Sequence, residues 1–347
     1  MTPTRITAQA LVLVSWTGFA FSFIRKLWCI ALTLAATGAM AATHPETYDE
    51  ALELIHAYNG SGDELQRAMQ LIRGLARSHP NSGYAQTLFA EALSTWQLDQ
   101  KGQPVQLAAE IVALCEEALQ LNPNLAQAHV AKGMAFARAS LYGPAESSID
   151  AALSLDPTLS GAMFLRAEVF RRTGALSDAE QWYRRFIAAV PSTSRKANGY
   201  HWIGKMYADA GWNDATNRQS HAAKARESYE RMLSLTPNGA WSNVNYAIFL
   251  NDYPADFEMA ERYAQRALEV MEFPMARYHL AAARYQKIWA SSSAIPRTAQ
   301  ADAARHVAMA TGVSLENAIA FSSFSAVVRG RLQEFHAQLV QRRSNDR

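Results

Sequence analysis

Side chains capable of chemistry are present in this chain, but they are scattered. Nine histidines occur in 347 residues, yet none forms H-E-x-x-H or another pair at metal-ligand spacing. The two cysteines, Cys29 and Cys115, stand far apart with no C-x-x-C. No G-x-S-x-G elbow and no phosphate-cradling glycine loop occurs. Adjacent carboxylates such as Glu116-Glu117 fall on the outward face of helical sequence, where hydration explains them better than acid–base catalysis. These patterns point away from an enzyme and imply neither metal nor cofactor. Cys115 lies in the helical run Ile111–Leu119 and reads as a small core residue. The densest group suited to recognition is aromatic: Tyr200-His201-Trp202, followed by Tyr207 and Trp212. The helical phase turns Tyr200 and Tyr207 inward, which leaves His201 and Trp202 as the candidates for exposure.

The elements that carry these residues are helical. Apolar residues make up 49% and charged residues 18%, and glycine and proline are sparse. The net charge is +2, and residues 1–41 set even that sign, since the remainder holds 30 basic against 31 acidic side chains. A near-neutral chain offers no electrostatic case for nucleic acid. At the start, Arg25 and Lys26 precede a short apolar stretch that ends in small residues at Ala39 and Ala41, the A-x-A pattern of signal cleavage. A second apolar stretch over residues 8–24 falls short of the about 20 residues that a membrane span needs. Three readings of the leader stand: a signal peptide cleaved after Ala41, an inner-membrane anchor, or a start codon assigned too early. The first two place the body outside the cytoplasm, periplasmic or secreted, with membrane association if the leader stays.

A period organises the rest. Leu121-Asn-Pro123, Leu155-Asp-Pro157 and Ala189-Val-Pro191 end similar phrases 34 residues apart, and Leu235-Thr-Pro237 and Pro274 continue at wider spacing. Within residues 126–157, Gly133, Phe136, Ala145, Ile149 and Ala152 fall in phase; in 160–191, Ala167, Phe170, Gly174, Ala179, Tyr183 and Phe186 do so. Looser units follow at 197–237, 240–274 and 275–311, and another precedes at 83–123. This recurrence resembles the tetratricopeptide-repeat family. The resemblance implies an all-α, right-handed solenoid of helical hairpins. The expected plan is a leader at 1–41, a degenerate hairpin at 42–82, about five units in 83–311, and capping helices in 312–347. Ser314 would cap the last stretch, and Gly330 would divide it.

In that family the first helices of successive units line a concave surface that receives peptides or partner helices. Carried onto this chain, that surface includes Glu91, Met134, Phe164, Glu168, Arg171, Asn198, His201, Trp202, Lys205, Trp241, Asn251 and His279. Tyr84, Thr87, Gln127, Val130, Val244 and Ile248 share the phase. Asn198 and Lys205 fall near the positions of the family's carboxylate clamp, but Val130, Phe164 and Val244 do not suit one. The expected function is therefore a non-catalytic envelope scaffold for a protein or peptide partner. The alternative is a small-ligand-binding solenoid that serves a transporter, with its pocket near the aromatic group and the long connection at 212–222.

Overall fold

The computed structural model describes residues 45–57, 62–96, 104–253 and 255–340. The leader and its cleavage point lie outside them. Among the described residues there are sixteen helices and no strand. They fall into two compact units, one ending at Pro157 and one beginning at Thr158.

The first unit contains α1 (Glu46–Ala57), α2 (Gly62–Ser78), α3 (Tyr84–Trp96), α4 (Pro104–Leu121), α5 (Ala126–Arg138) and α6 (Tyr142–Leu155). They pair as three hairpins, and α3 lies beside both α1 and α5. Tyr48, Ile55, Leu75 and Leu88 are fully buried around small residues such as Ala68, Ala118 and Ala128. Cys115 is buried with Ile111, Ala131 and Ala135. Burial pushes its thiol up to about 12, so it packs as an apolar group.

The second unit contains α7 (Ser160–Thr173), α8 (Leu176–Ala189), α9 (Thr193–Asn213), α10 (Arg218–Leu235), α11 (Ala240–Asp252), α12 (Phe257–Val270), α13 (Pro274–Ala290), α14 (Arg297–Thr311), α15 (Leu315–Ala320) and α16 (Ala326–Val340). The hairpin α7–α8 closes as its sequence requires. Gly174 adopts φ +85°, and Ala175 N–H donates to the Phe170 carbonyl at 2.9 Å, ending α7 in a left-handed cap. Ala167, Ala179, Tyr183 and Phe186 are buried between the helices. Ser192 and Asp256 cap α9 and α12 through the N–H groups of Arg195 and Met259.

Three expectations are corrected. Residues 83–311 hold six hairpins rather than about five. The segment 212–222 is not a long connection: α9 runs on to Asn213 and α10 begins at Arg218, because the Ala-rich run after Arg218 favours helix. The Asp214 carboxylate accepts from the Thr216 and Asn217 N–H groups and makes the turn between them. The final stretch breaks at Phe321–Ser325, not at Gly330, which lies inside α16. Ser314 caps α15 through Asn317 N–H at 3.1 Å, and Ser325 caps α16 through Val328 N–H at 3.2 Å. Val328, Leu332 and Phe335 of α16 are fully buried against Tyr285, Ala304 and Val313. Each such large side chain contributes about 2 kcal/mol on leaving water, so α16 is an integral part of the core. No described helix is long and apolar enough to cross a membrane.

Candidate functional site

Glu91 and Met134 belong to the first unit, both half-buried. Burial pushes the Glu91 carboxyl up to about 7, against the pull of Arg138. The other ten predicted residues belong to the second unit, where α11 lies beside α9 and α13.

The structure brings Phe164, Arg171, His201 and Trp202 together. Trp202 packs edge-on to Phe164, with ring centroids 6.3 Å apart. The Arg171 guanidinium lies over the indole at 5.1 Å, and His201 sits edge-on to it at 5.2 Å. All four remain half-buried. Arg171 is held from below: its Nε and Nη2 donate to Glu168 at 3.0 and 2.8 Å, and the Tyr183 hydroxyl donates to the same carboxylate. Burial alone would raise the Glu168 carboxyl, but the bonds and charge of Arg171, with Tyr183 and Arg172, hold it below the usual carboxylate range. The expectation that Glu168 lies on the surface is thus corrected, since only 5% of it is exposed.

Burial, reinforced by Lys205 and Arg171, pushes the His201 imidazole down to about 4. Its Nδ1 has no hydrogen-bond partner among the described residues. The neutral ring is a poor acid or base near neutrality. His201 is therefore less open than its phase suggested. Lys205 is half-buried and donates to Asp209 at 2.9 Å, so its charge is already engaged.

Asn251 and His279 are corrected as well. Both are buried, because the chain's own C-terminal segment covers that end of the wall. Phe324 packs edge-on to His279 at 4.9 Å, and Phe321 stacks on Tyr278 at 4.2 Å. Arg331 of α16 donates to the Asn251 carbonyl at 2.9 Å, the Gln286 side-chain oxygen at 3.0 Å and the Asp252 carbonyl at 3.2 Å. Asn251 in turn donates to the His279 carbonyl at 3.0 Å. Burial pushes the His279 imidazole down to about 3. Tyr84, Thr87, Val130 and Val244 share the phase but are also buried. Asn198 is exposed, and Trp241 is 39% exposed, paired with Phe273 at 5.2 Å and apart from the Trp202 group.

Sequence reasoning missed Asp252 and Arg331. Periodicity carries no mark for them, since each is charged at a place where only the tertiary neighbours explain it. Asp209 was legible as the i+4 partner of Lys205. The charge balance was also misread by averaging. Residues 45–157 carry 14 acidic and 6 basic side chains, whereas residues 158–347 carry 17 acidic and 24 basic ones.

No protein-family model matches the chain, and no curated protein matches it. Solved structures do. A monomeric mutant of IFIT1 with Gppp-AAAA superposes with a TM-score of 0.59 at 15% identity, covering 94% of this chain and 70% of that one. The human IFIT1 dimer with PPP-AAAA gives 0.57 at the same identity and coverage. PilF of Pseudomonas aeruginosa gives 0.46 at 16% identity, over 74% of this chain and 99% of that one. The likeness to IFIT1 extends along nearly the whole chain and shows the fold. The architecture is an all-α, tetratricopeptide-like helical solenoid with C-terminal capping helices.

Proposed function

We propose that this protein is a non-catalytic scaffold that holds a protein or peptide partner against the first helices of its second unit. The observation that carries this is the half-buried Phe164–Trp202 pair, flanked by Arg171 and Lys205 and left uncovered by α16. Aromatic anchors ringed by polar groups supply most of the energy in many interfaces. The leader adds the expectation of a periplasmic or secreted scaffold, or one anchored in the inner membrane.

A second reading is a single-stranded nucleic acid, favoured by the basic excess of residues 158–347 and by ligands such as PPP-AAAA in the IFIT1 structures. The local chemistry favours protein. Arg171 and Lys205 already bond to Glu168 and Asp209, so the wall itself presents little uncompensated positive charge.

The test is site-specific photo-crosslinking from position 198, an exposed residue on α9, in an envelope fraction, followed by affinity measurement with the purified captured protein. Trp202→Ala should weaken that affinity by about tenfold or more, as expected for a hot-spot truncation. An unchanged affinity, or capture of nucleic acid alone, would overturn the reading.

A further inference from the structure

The first helices of two hairpins in the second unit share one pattern. Helix α9 carries Tyr200-His201, then Gly204 and Tyr207. Helix α13 carries Tyr278-His279, then Ala282 and Tyr285, at the same spacings. Gly204, Tyr207, Ala282 and Tyr285 are all buried, so the spacing sets the Tyr-His pair on the same face of both helices. The two histidines are alike. Neither Nδ1 has a hydrogen-bond partner among the described residues, and burial pushes both imidazoles down. Each ring is therefore a neutral aromatic surface.

The two pairs differ in what lies over them. On α13 the cover is the chain's own segment. Phe321 stacks on Tyr278 with ring centroids 4.2 Å apart, and Phe324 meets His279 edge-on at 4.9 Å. The two phenylalanines also touch each other, at 5.0 Å. Arg329 holds the turn between them by donating to the carbonyls of Phe321, Ser322 and Phe324. Arg331 then bonds to both α11 and α13, so the segment lies across the wall and not beside it as one more hairpin would. On α9 no described segment does this. Tyr200, His201 and Trp202 stay half-buried, and no described ring stacks on Tyr200. Where α13 has the buried Leu280, α9 has Trp202, which adds ring surface 5.2 Å from His201.

We propose that the Tyr200-His201-Trp202 face of α9 receives a segment of the protein partner with two aromatic side chains three positions apart, seated as Phe321 and Phe324 are on Tyr278-His279. The chain thus carries an internal copy of the contact on its matching face. This assignment rests on the scaffold reading above, and it adds the chemistry of the partner: a short aromatic-x-x-aromatic turn of low charge. Low charge follows because Arg171 and Lys205, the cations beside this face, are already paired with Glu168 and Asp209. Stacked and edge-on rings add affinity beyond the area they bury, and they do so only when correctly placed. The spacing of the two rings, and not hydrophobicity alone, is therefore the discriminating property.

The probe is a pair of N-acetylated, C-amidated heptapeptides titrated into the full chain by calorimetry and amide chemical shift. One is Ile-Ala-Phe-Ser-Ser-Phe-Ser, the sequence of residues 319–325. The other, Ile-Ala-Ser-Phe-Phe-Ser-Ser, has the same composition with its rings adjacent. The first should bind about tenfold more tightly, and its shifts should centre on Tyr200, His201 and Trp202. Tyr200→Ala should bring the two peptides within about twofold of each other. Tyr200→Phe should keep the preference, which separates loss of a ring from a disturbed fold. Equal affinities in the wild type, or shifts centred on Tyr278 and His279, would overturn the inference. If both peptides bind equally and Trp202→Ala abolishes both, the scaffold reading stands while the spacing rule falls. If neither binds, the inference falls, and cross-linking from position 198 decides the scaffold reading. A dimer that forms on concentrating the chain and is lost in Trp202→Ala would make a second copy the occupant and overturn the assignment to a partner.

Discussion

Arg331 reaches across 80 positions of sequence to the Asn251 carbonyl, 2.9 Å away, and fixes the C-terminal helix against the end of α11. The same guanidinium holds Asp252 and Gln286, so one side chain joins α16 to both α11 and α13.

Arg331→Ala should lower the stability of the second unit by about 3 kcal/mol, because three charge-assisted bonds are lost and their buried acceptors are left bare. Arg331→Lys should recover less than half, since an ammonium lacks the fork. Urea denaturation of the full chain, followed by amide exchange in α16, measures both.

Glu168→Gln should cost about 3 kcal/mol near neutrality, by leaving Arg171 half-buried without its counter-charge. The sign with pH follows from the lowered carboxyl. Its stabilisation is present above the ordinary carboxylate pKa and is lost as pH falls through the depressed folded value. The gap between wild type and variant should therefore close in acid. Melting temperatures recorded at several pH values test this, and a gap independent of pH would contradict it.

Asp252 behaves in the opposite sense. Burial, with Asp209 adding to it, raises the carboxyl to about 6, against Ser325, Arg331 and Lys205. The folded chain thus holds this proton more tightly than the unfolded chain, and its ionisation destabilises the fold as pH rises through 6. Asp252→Asn should be the more stable protein at pH 8, by at most about 3 kcal/mol, with the advantage disappearing near pH 4. Chemical denaturation of both proteins at the two pH values checks the difference.

Two glycines separate steric from torsional cost. Gly83 has φ +74°, and a Cβ there would stand 2.6 Å from the Ala118 carbonyl oxygen in α4. Gly174 has φ +85°, and a Cβ there would meet nothing within 4 Å. Gly174→Ala should cost about 1 kcal/mol from backbone conformation alone, and Gly83→Ala about 3 kcal/mol or more, because helix backbone must move. Thermal melts of the two variants should rank accordingly.

The repeat was legible because its determinants are local. Gly174, Ala179 and Tyr183 sit at positions that any hairpin of this type must fill with those volumes, so a period of 34 revealed them without knowledge of the fold. The aromatic group was legible for the same reason. What could not be read was how the wall is finished. Asn251 and His279 have the phase of groove residues, and they are buried only because Phe324 and Arg331, far away in the chain, come back over them. Glu168 likewise looked like a surface acid until Tyr183 and Arg171 closed on it. Net charge misled because a sum over the chain erased the opposite balance of its two parts.

The long hairpin α9–α10 has one more effect. Helix α9 has 21 residues, against 14 in α7 and 13 in α11, so it overshoots its neighbours by about 10 Å at 1.5 Å per residue. Trp212 against Tyr253 and the bond from Arg218 to the Gly211 carbonyl brace the overhang. A stack of equivalent hairpins offers a visitor several identical berths, one step apart. On the scaffold reading proposed above, the overhang would remove that degeneracy, for it marks one hairpin of the second unit off from its neighbours and so would favour one register of a guest.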